Sequence, residues 1–410
     1  MTPESFELLD PSFLGDPYPA YAMLREQAPV HPIADTGVHL VSTRRLIEEV
    51  LDRPDDFSAH LTGVLITGDN GHPEIFDMTT FGTPLDALAT ADEPDHAVHR
   101  RLVLPAVTPR AIAAMEPALR EWSKEAISLL VANGGGDFVE GVAHPIPMRA
   151  TTRLLGVPIE DWEQLLTWSL RGGEILAGPT RRERLSEVGQ SGAEMGAYLA
   201  DHLRKALGHD ADGPESGLIG AMATGIRAGR IDQQHALGCL VILASAAGES
   251  TASLLGNAVR ILAESPTLQG QLRASPKRIP VFIEEVARLE SSFQGHYRVV
   301  KRNTTLGGLD LVASSRLFLL WGAANRDPEF YSDPDRLSLD RPNPHDHLAF
   351  GHGSHFCVGA RLARLEARVL LEEFLASTVS IELDPERTPS RQPSIQVRRH
   401  RELPLKLTSG

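Results

Sequence analysis

The chain is short of three things: cysteine, aromatic residues and positive charge. It has 2 cysteines in 410 residues, 5% aromatics, and 40 Lys and Arg against 54 Asp and Glu. Cys239 and Cys357 stand far apart and have no companions, so neither a disulfide framework nor a zinc site is expected, and the setting should be reducing and cytoplasmic. The formal net charge of −14 argues against nucleic acid or an anionic membrane surface as partner. The opening stretch MTPESFELLDPSFLGDPYPAY has no basic region followed by an apolar one, so no secretory leader is expected. The most apolar run, ALGCLVILASAAG from Ala236 to Gly248, is shorter than the roughly 20 residues that cross a bilayer and predicts a buried helix.

What is present is an ordinary apolar content of 42%, enough for a sizeable core. No repeat, low-complexity tract or interdomain linker interrupts the chain, so a single domain over 1–410 is expected. The polar stretch Gly208 to Gly217 reads as a surface loop between helices. Periodicity of about 3.6 predicts helices over Pro19–Ala28, Thr43–Asp52, Arg184–Leu207, Ile231–Leu262, Arg278–Leu289 and Val358–Leu375. Strand signals are short: Val38–Val41, Tyr297–Arg302 and Leu317–Trp321. Thr62 to Asp92, rich in Gly, Thr and Pro, is predicted as a long irregular loop with a functional role. The expected fold class is mainly α with small β-sheets.

The stretch FGHGSHFCVGARLARLE, Phe350 to Glu366, places Cys357 directly before the last predicted helix. Free amide N–H groups and the helix dipole favour a thiolate there. Gly351, Gly353 and Gly359 allow tight turns and the approach of a flat ligand, with Phe350 and Phe356 as apolar cover. Taken alone, the cysteine reads more readily as a buried structural thiol or a nucleophile than as a soft metal ligand.

The full pattern F-G-x-G-x-H-x-C-x-G, from Phe350 through His355 and Cys357 to Gly359, resembles the haem-binding signature of the cytochrome P450 family. The resemblance extends over nearly the whole chain, from DPYPAY to the final helix. It implies haem b with the Cys357 thiolate as axial ligand, held between the long central helix and the cysteine-turn helix. It implies a structural E-x-x-R pair, met by Glu285 and Arg288 on one helix face. Cations for the haem propionates are implied at His96, Arg100, Arg298 and His355. The family's A-G-x-[DE]-T segment is matched imperfectly by SAAGEST. Aligning the acid gives Glu249 as proton relay and Ser250 as the alcohol, with Thr251 beside it; a one-residue gap instead keeps Ala247 and Gly248 as the A-G pair. Serine lacks the methyl that fixes a threonine rotamer, so looser control of protonation and more peroxide leakage are expected.

The reaction implied is insertion of one oxygen atom from O2 into a hydrophobic small molecule, by hydroxylation, epoxidation or a relative. Leu243, Ala247, Phe293 and the Thr62–Asp92 loop are expected to line its pocket, and the scarcity of aromatics tilts the expectation toward an aliphatic or bulky substrate. No flavin or iron–sulfur segment is recognisable, so electrons are expected from an external ferredoxin and its reductase. Arg101, Arg361, Arg364 and Arg368 are the candidate docking patch. A peroxygenase using H2O2, and a non-catalytic haem protein that binds or senses a ligand, remain as alternatives.

Overall fold

The structure is a computed structural model and describes residues 2–3, 6–81, 86–208 and 217–409. Apart from its two ends, the predicted loop 208–217 lies outside the described residues, as do residues 82–85 of the Thr62–Asp92 segment. Helices dominate. The predicted ones are found as Tyr18–Gln27, Arg44–Leu51, Leu185–Gly208, Gln233–Ala263, Ile279–Leu289 and Ala360–Ser377.

The helix Gln233–Ala263 forms the axis of the molecule. Asp232 caps it by accepting the His235 backbone N–H at 2.8 Å, a cap worth about 1 kcal/mol. By length and hydropathy this helix resembles a membrane span, but residues 251–259 are all buried within the protein. Leu254, Leu255, Val259 and Leu262 pack with Phe282 and Val286 of Ile279–Leu289, and with Val369, Leu370 and Phe374 of the cysteine helix Ala360–Ser377. A helix apolar on all sides has to be enclosed in this way.

The main sheet has five strands in the order Val30–Ile33, Val38–Val41, Arg316–Leu319, His296–Val300 and Phe57–Ser58. Arg316–Leu319 runs parallel to Val38–Val41 and antiparallel to His296–Val300. The register sets Arg298 opposite Leu317 and His296 opposite Leu319. Two residues apart on one strand, His296 and Arg298 share a face, which matters below.

Two regions depart from expectation. Thr62–Asp92 is not wholly irregular: Gly63–Thr67 and Pro73–Asp77 form an antiparallel hairpin. The Asn70-Gly71 pair, with Gly71 at φ 84°, supplies its turn chemistry. A second sheet joins Gly135–Asp137, Pro404–Ser409 and Thr378–Leu383. Its glycine strand carries no β-propensity, but Gly135 lies so close to the partner strand that a Cβ would stand 2.0 Å from the Leu405 carbonyl oxygen.

Candidate active site

A cavity of about 260 Å³ lies between the long helix, the cysteine turn and the strand His296–Val300. Its wall is mainly apolar. Leu243, Ala247 and Phe293 line it as expected, joined by Leu88, Val103 and Leu254. Of the Thr62–Asp92 segment, the hairpin stays outside, and among the described residues only Leu88 and Ala89 reach the lining.

The cysteine turn is built by its glycines. Gly351 and Gly353 take φ of 73° and 67°, the left-handed region open to glycine. The Cys357 N–H donates to the Phe350 carbonyl at 2.8 Å and closes the loop. Gly359 differs from expectation: its φ is −84° and a Cβ would meet Cys357 Sγ at an ordinary 3.8 Å, so the fold itself sets no demand for glycine there. The solvent-accessible part of Cys357 belongs to the cavity lining. Burial pushes its thiol up, opposed by the Gly359 amide, the Arg100 charge and the Ala360 amide, all of which favour the thiolate.

The four predicted cationic positions meet in the same cavity. His96 and His355 stack with ring centroids 4.0 Å apart. Arg100 Nη1 donates to the Phe356 carbonyl at 2.8 Å, tying its helix to the cysteine turn. Arg298 Nη1 donates to the Tyr297 carbonyl at 2.7 Å and has no carboxylate in salt-bridge contact among the described residues. Burial lowers its pKa to about 10, with only the charge of Asp92 acting against. His355 is held down to about 3 by burial, then by Arg298 and His96. A buried cation with no protein anion calls for an anionic ligand.

On the long helix, Gly248 lies against the helix Trp162–Gly173: a Cβ would stand 2.3 Å from Ser169 Oγ. Ser169 in turn donates to the Ser245 carbonyl at 2.8 Å. Ala247 faces the cavity and Gly248 the neighbouring helix. Ser250 and Thr251 both line the cavity. Ser250 Oγ donates to the Ala246 carbonyl at 2.7 Å, which leaves its lone pairs free to accept. Glu249 is not part of the lining; it is buried and accepts from Arg399 Nε at 2.8 Å. Burial raises its pKa and Arg399 opposes that.

Glu285 and Arg288 lie outside the cavity, fully buried and paired at 2.7 Å. Of the four arginines expected to form a docking patch, two are paired with carboxylates. Arg364 chelates Glu284 at 2.7 and 2.8 Å. Arg368 pairs with Glu116 at 2.6 Å and Glu372 at 3.0 Å. Only Arg101 and Arg361 stay exposed and without an ion-pair partner among the described residues.

Three contributors escaped the sequence reading. Glu366, 2% exposed, lines the cavity, and burial pushes its pKa up to about 8, with the Thr251 hydroxyl acting against. The signal was available: Glu366 follows Leu362 by four and precedes Val369 by three, so it sits on the apolar face of the cysteine helix. His296 lines the cavity and is marked only by its spacing from Arg298. Arg399, the partner of Glu249, has no signal in the sequence.

A cytochrome P450 family model matches residues 221–402. The chain is 40% identical to Cytochrome P450 144 of Mycobacterium tuberculosis over 394 residues, covering 95% of this chain and 88% of that one. It is 32% identical to the beta-dihydromenaquinone-9 omega-hydroxylase of Mycobacterium bovis over 382 residues, 92% of this chain and 74% of the relative. Among solved structures, CYP109E1 from Bacillus megaterium in complex with testosterone superposes with a TM-score of 0.84 at 29% identity, covering 96% and 98% of the two chains.

Proposed function

Because this chain belongs to the cytochrome P450 family of haem-thiolate monooxygenases, we propose that Cys357 is its thiolate ligand and that His96, Arg100, Arg298 and His355 hold the haem propionates. The observation that carries this assignment is Arg298, a buried guanidinium without a carboxylate in salt-bridge contact among the described residues, in the same cavity as Cys357. The residues fit the group: a sulfur facing the cavity, and beside it the buried Arg298 guanidinium, with no carboxylate in salt-bridge contact among the described residues. Bound there, haem supplies the dioxygen activation that inserts one oxygen atom into a substrate.

The chain's own residues provide binding, exclusion of water and proton supply. Ser250, fixed by the Ala246 carbonyl, orders a water at the mouth of the helix groove. Glu249, held by Arg399 outside the lining, is the carboxylate that takes up and releases protons. Glu366 stores a proton behind Thr251. Leu243, Ala247 and Phe293 hold a hydrophobic substrate. The M. bovis relative is named for menaquinone hydroxylation and the structural neighbour was solved with testosterone; both support a bulky aliphatic substrate. Electrons come from an external ferredoxin and its reductase, and the enzyme works in the cytoplasm.

The test is the spectrum of the dithionite-reduced protein under CO. A strongly red-shifted Soret band is expected. A band at the ordinary haem position would overturn thiolate ligation. A peroxygenase reading draws on one observation, that Glu249 is tied to Arg399 away from the lining. Turnover with H2O2 matching that with a donor system would favour it.

A further inference from the structure

A second hollow lies apart from the active site. It is an open cleft of about 720 Å³, and none of its lining residues lines the cavity of Cys357. Its size falls within the roughly 300–1,000 Å³ usual for small-molecule sites. In a chain of net charge −14, its floor is basic. Glu290, 7% exposed, accepts from Arg398 Nε at 2.6 Å, Arg260 Nη2 at 3.3 Å and Arg391 Nη2 at 3.4 Å. Arg326 stands 3.6 Å from the same carboxylate. Four guanidiniums thus share one buried anion. The other acids of the lining sit at its mouth. Asp16 is exposed and accepts the Tyr18 N–H at 3.3 Å. The Glu264 and Asp335 side chains, 47% and 69% exposed, take one donor each from Arg260 and Arg326.

Arg391 and Arg398 carry the surplus. The short strands Ser390–Arg391 and His400–Glu402 set Arg391 opposite His400. Arg391 Nη1 donates to Asn257 Oδ1 at 3.0 Å, and Arg398 Nη1 to the Gly15 carbonyl at 3.1 Å. Arg391 Nε and Arg398 Nη2 have no acceptor among the described residues, and neither is sealed from solvent. Burial, then the Arg398 charge, hold Arg391 down to about 10. Burial, then Arg391 and Arg260, hold His400 down to about 3. The cations act on one another because the floor has too few anions to separate them. They are also placed in advance. Arg326 and Arg398 lie over the Tyr18 ring, 3.4 and 4.9 Å from its centroid, which lowers the cost of ordering them around a ligand. Arg260 comes from the long helix, and Arg391 and Arg398 from the C-terminal segment. Forks converging from different directions suit a tetrahedral oxyanion better than a planar carboxylate. We propose that this cleft binds a phosphate group, free as the inorganic ion or carried by a small phosphorylated molecule, with Arg391 and Arg398 as its principal ligands.

The test is calorimetric titration of the holoenzyme with inorganic phosphate, pyrophosphate and glucose 6-phosphate, beside sodium chloride at matched ionic strength. Melting curves accompany each titration. Saturable binding of a phosphate is expected, with a melting temperature that climbs as the ligand concentration passes Kd. Arg391→Gln removes a charged fork and should weaken that binding about 10-fold or more. Arg391→Lys keeps the charge without the fork and should fall between the two. Arg204→Gln, on the exposed face of Leu185–Gly208, should bind as the wild type does. Glucose 6-phosphate binding about 10-fold tighter than inorganic phosphate would assign the site to a phosphorylated molecule; equal affinities would assign it to the free ion. No saturable heat, with melting shifts no larger than those in chloride, overturns the proposal and marks the cluster as a structural ion-pair network. Wild-type affinity in Arg391→Gln overturns it as well. Citrate binding more tightly than all three phosphates overturns the choice of phosphate. Should Arg391→Gln fail to fold, Arg391→Lys decides: a several-fold loss of affinity upholds the site, and no loss overturns it.

Discussion

Two buried charge clusters in this molecule have opposite character. Around Glu285 every group is answered by protein. Its carboxylate takes Arg288 at 2.7 Å, Arg341 at 2.7 Å and the Ser338 amide at 2.9 Å. Arg288 spends its remaining donors on the carbonyls of Asn325, Pro334 and Arg336. Next door, Glu284 is matched by Arg364 and His347, which overcome burial and hold its pKa at about 2. Around Cys357 the account stays open. Among the described residues, Arg298 lacks a carboxylate, His296 Nε2 an acceptor, and Glu366 a cation. A closed cluster fixes shape; an open one, equally buried, anticipates a ligand.

Substitutions in the two clusters should therefore fail differently. The largest effect is expected at Cys357. Cys357→Ser removes the soft anion from the open cluster, so the reduced protein under CO should lose the red-shifted Soret band and show no measurable turnover. Its far-UV circular dichroism should match the wild type, because the thiol supports no packing beyond its turn. Arg288→Ala should do the reverse. It breaks a buried ion pair, leaving Glu285 with Arg341 as its remaining cation and three carbonyls without their donor, an effect of about 3–5 kcal/mol, visible as a large fall in denaturation midpoint of the apoprotein. Arg298→Met sharpens the contrast. Relieved of an unpaired buried cation, the apoprotein should be no less stable than wild type, while haem transfer to apomyoglobin accelerates. If Arg298→Met destabilised the apoprotein as much as Arg288→Ala, the distinction between the clusters would be lost.

Glu366 comes next and carries a pH signature. Its folded pKa of about 8 lies above the ordinary 4.5, so the folded state holds the proton more tightly than the unfolded one. The stability contributed by the protonated group is fully present below about pH 4.5 and is lost as pH rises towards 8. Glu366→Gln, permanently neutral, removes that loss. The variant should gain a few kcal/mol over wild-type apoprotein between about pH 5 and about pH 9 in denaturant titrations. A difference independent of pH would show that Glu366 is ionised in the fold.

The sequence reading was strongest where chemistry is local in the chain. The turn Phe350–Gly359 and the Glu285–Arg288 pair lie within short windows, and one helical turn or one loop fixes their geometry. Helix positions followed because a period of 3.6 is written into any amphipathic or buried helix. What stayed hidden depends on tertiary pairing. Arg399 meets Glu249 across 150 positions, and Arg364 and Arg368 looked like free surface charge because Glu284 and Glu116 come from other helices. The hairpin Gly63–Thr67 to Pro73–Asp77 was masked by the irregular residues around it. Glu366 was visible in principle, since a carboxylate on the apolar stripe of a helix is an anomaly that periodicity exposes.

A smaller effect is expected at the alcohol pair, where the open cluster borders the helix. Ser250→Ala removes a hydroxyl that faces the cavity, while Thr251 is buried towards Glu366. Product formed per NADH should fall several-fold in Ser250→Ala, with peroxide rising to match, on the scale of a lost proton donor rather than of a lost ligand. Thr251→Ala should change coupling less and shift its pH dependence through Glu366. The reverse order of severity would make Thr251 the working alcohol.

The smallest effect belongs to the surface, and there the structure divides the four arginines. Arg101 and Arg361 are exposed without ion-pair partners among the described residues, whereas Arg364 and Arg368 are held by carboxylates. Charge reversal of Arg101 and Arg361 should slow reduction by an acidic ferredoxin a few-fold at low salt and hardly at all at about 0.5 M, because steering between exposed charges is screened. Arg364→Glu should act through another route. It unpairs Glu284, which is 2% exposed, so the loss should appear first in stability and persist at high salt. Stopped-flow reduction across a salt series, with melting curves of the same variants, separates the two. A salt-independent defect in the Arg101 and Arg361 variant would mean that the donor docks on some other face.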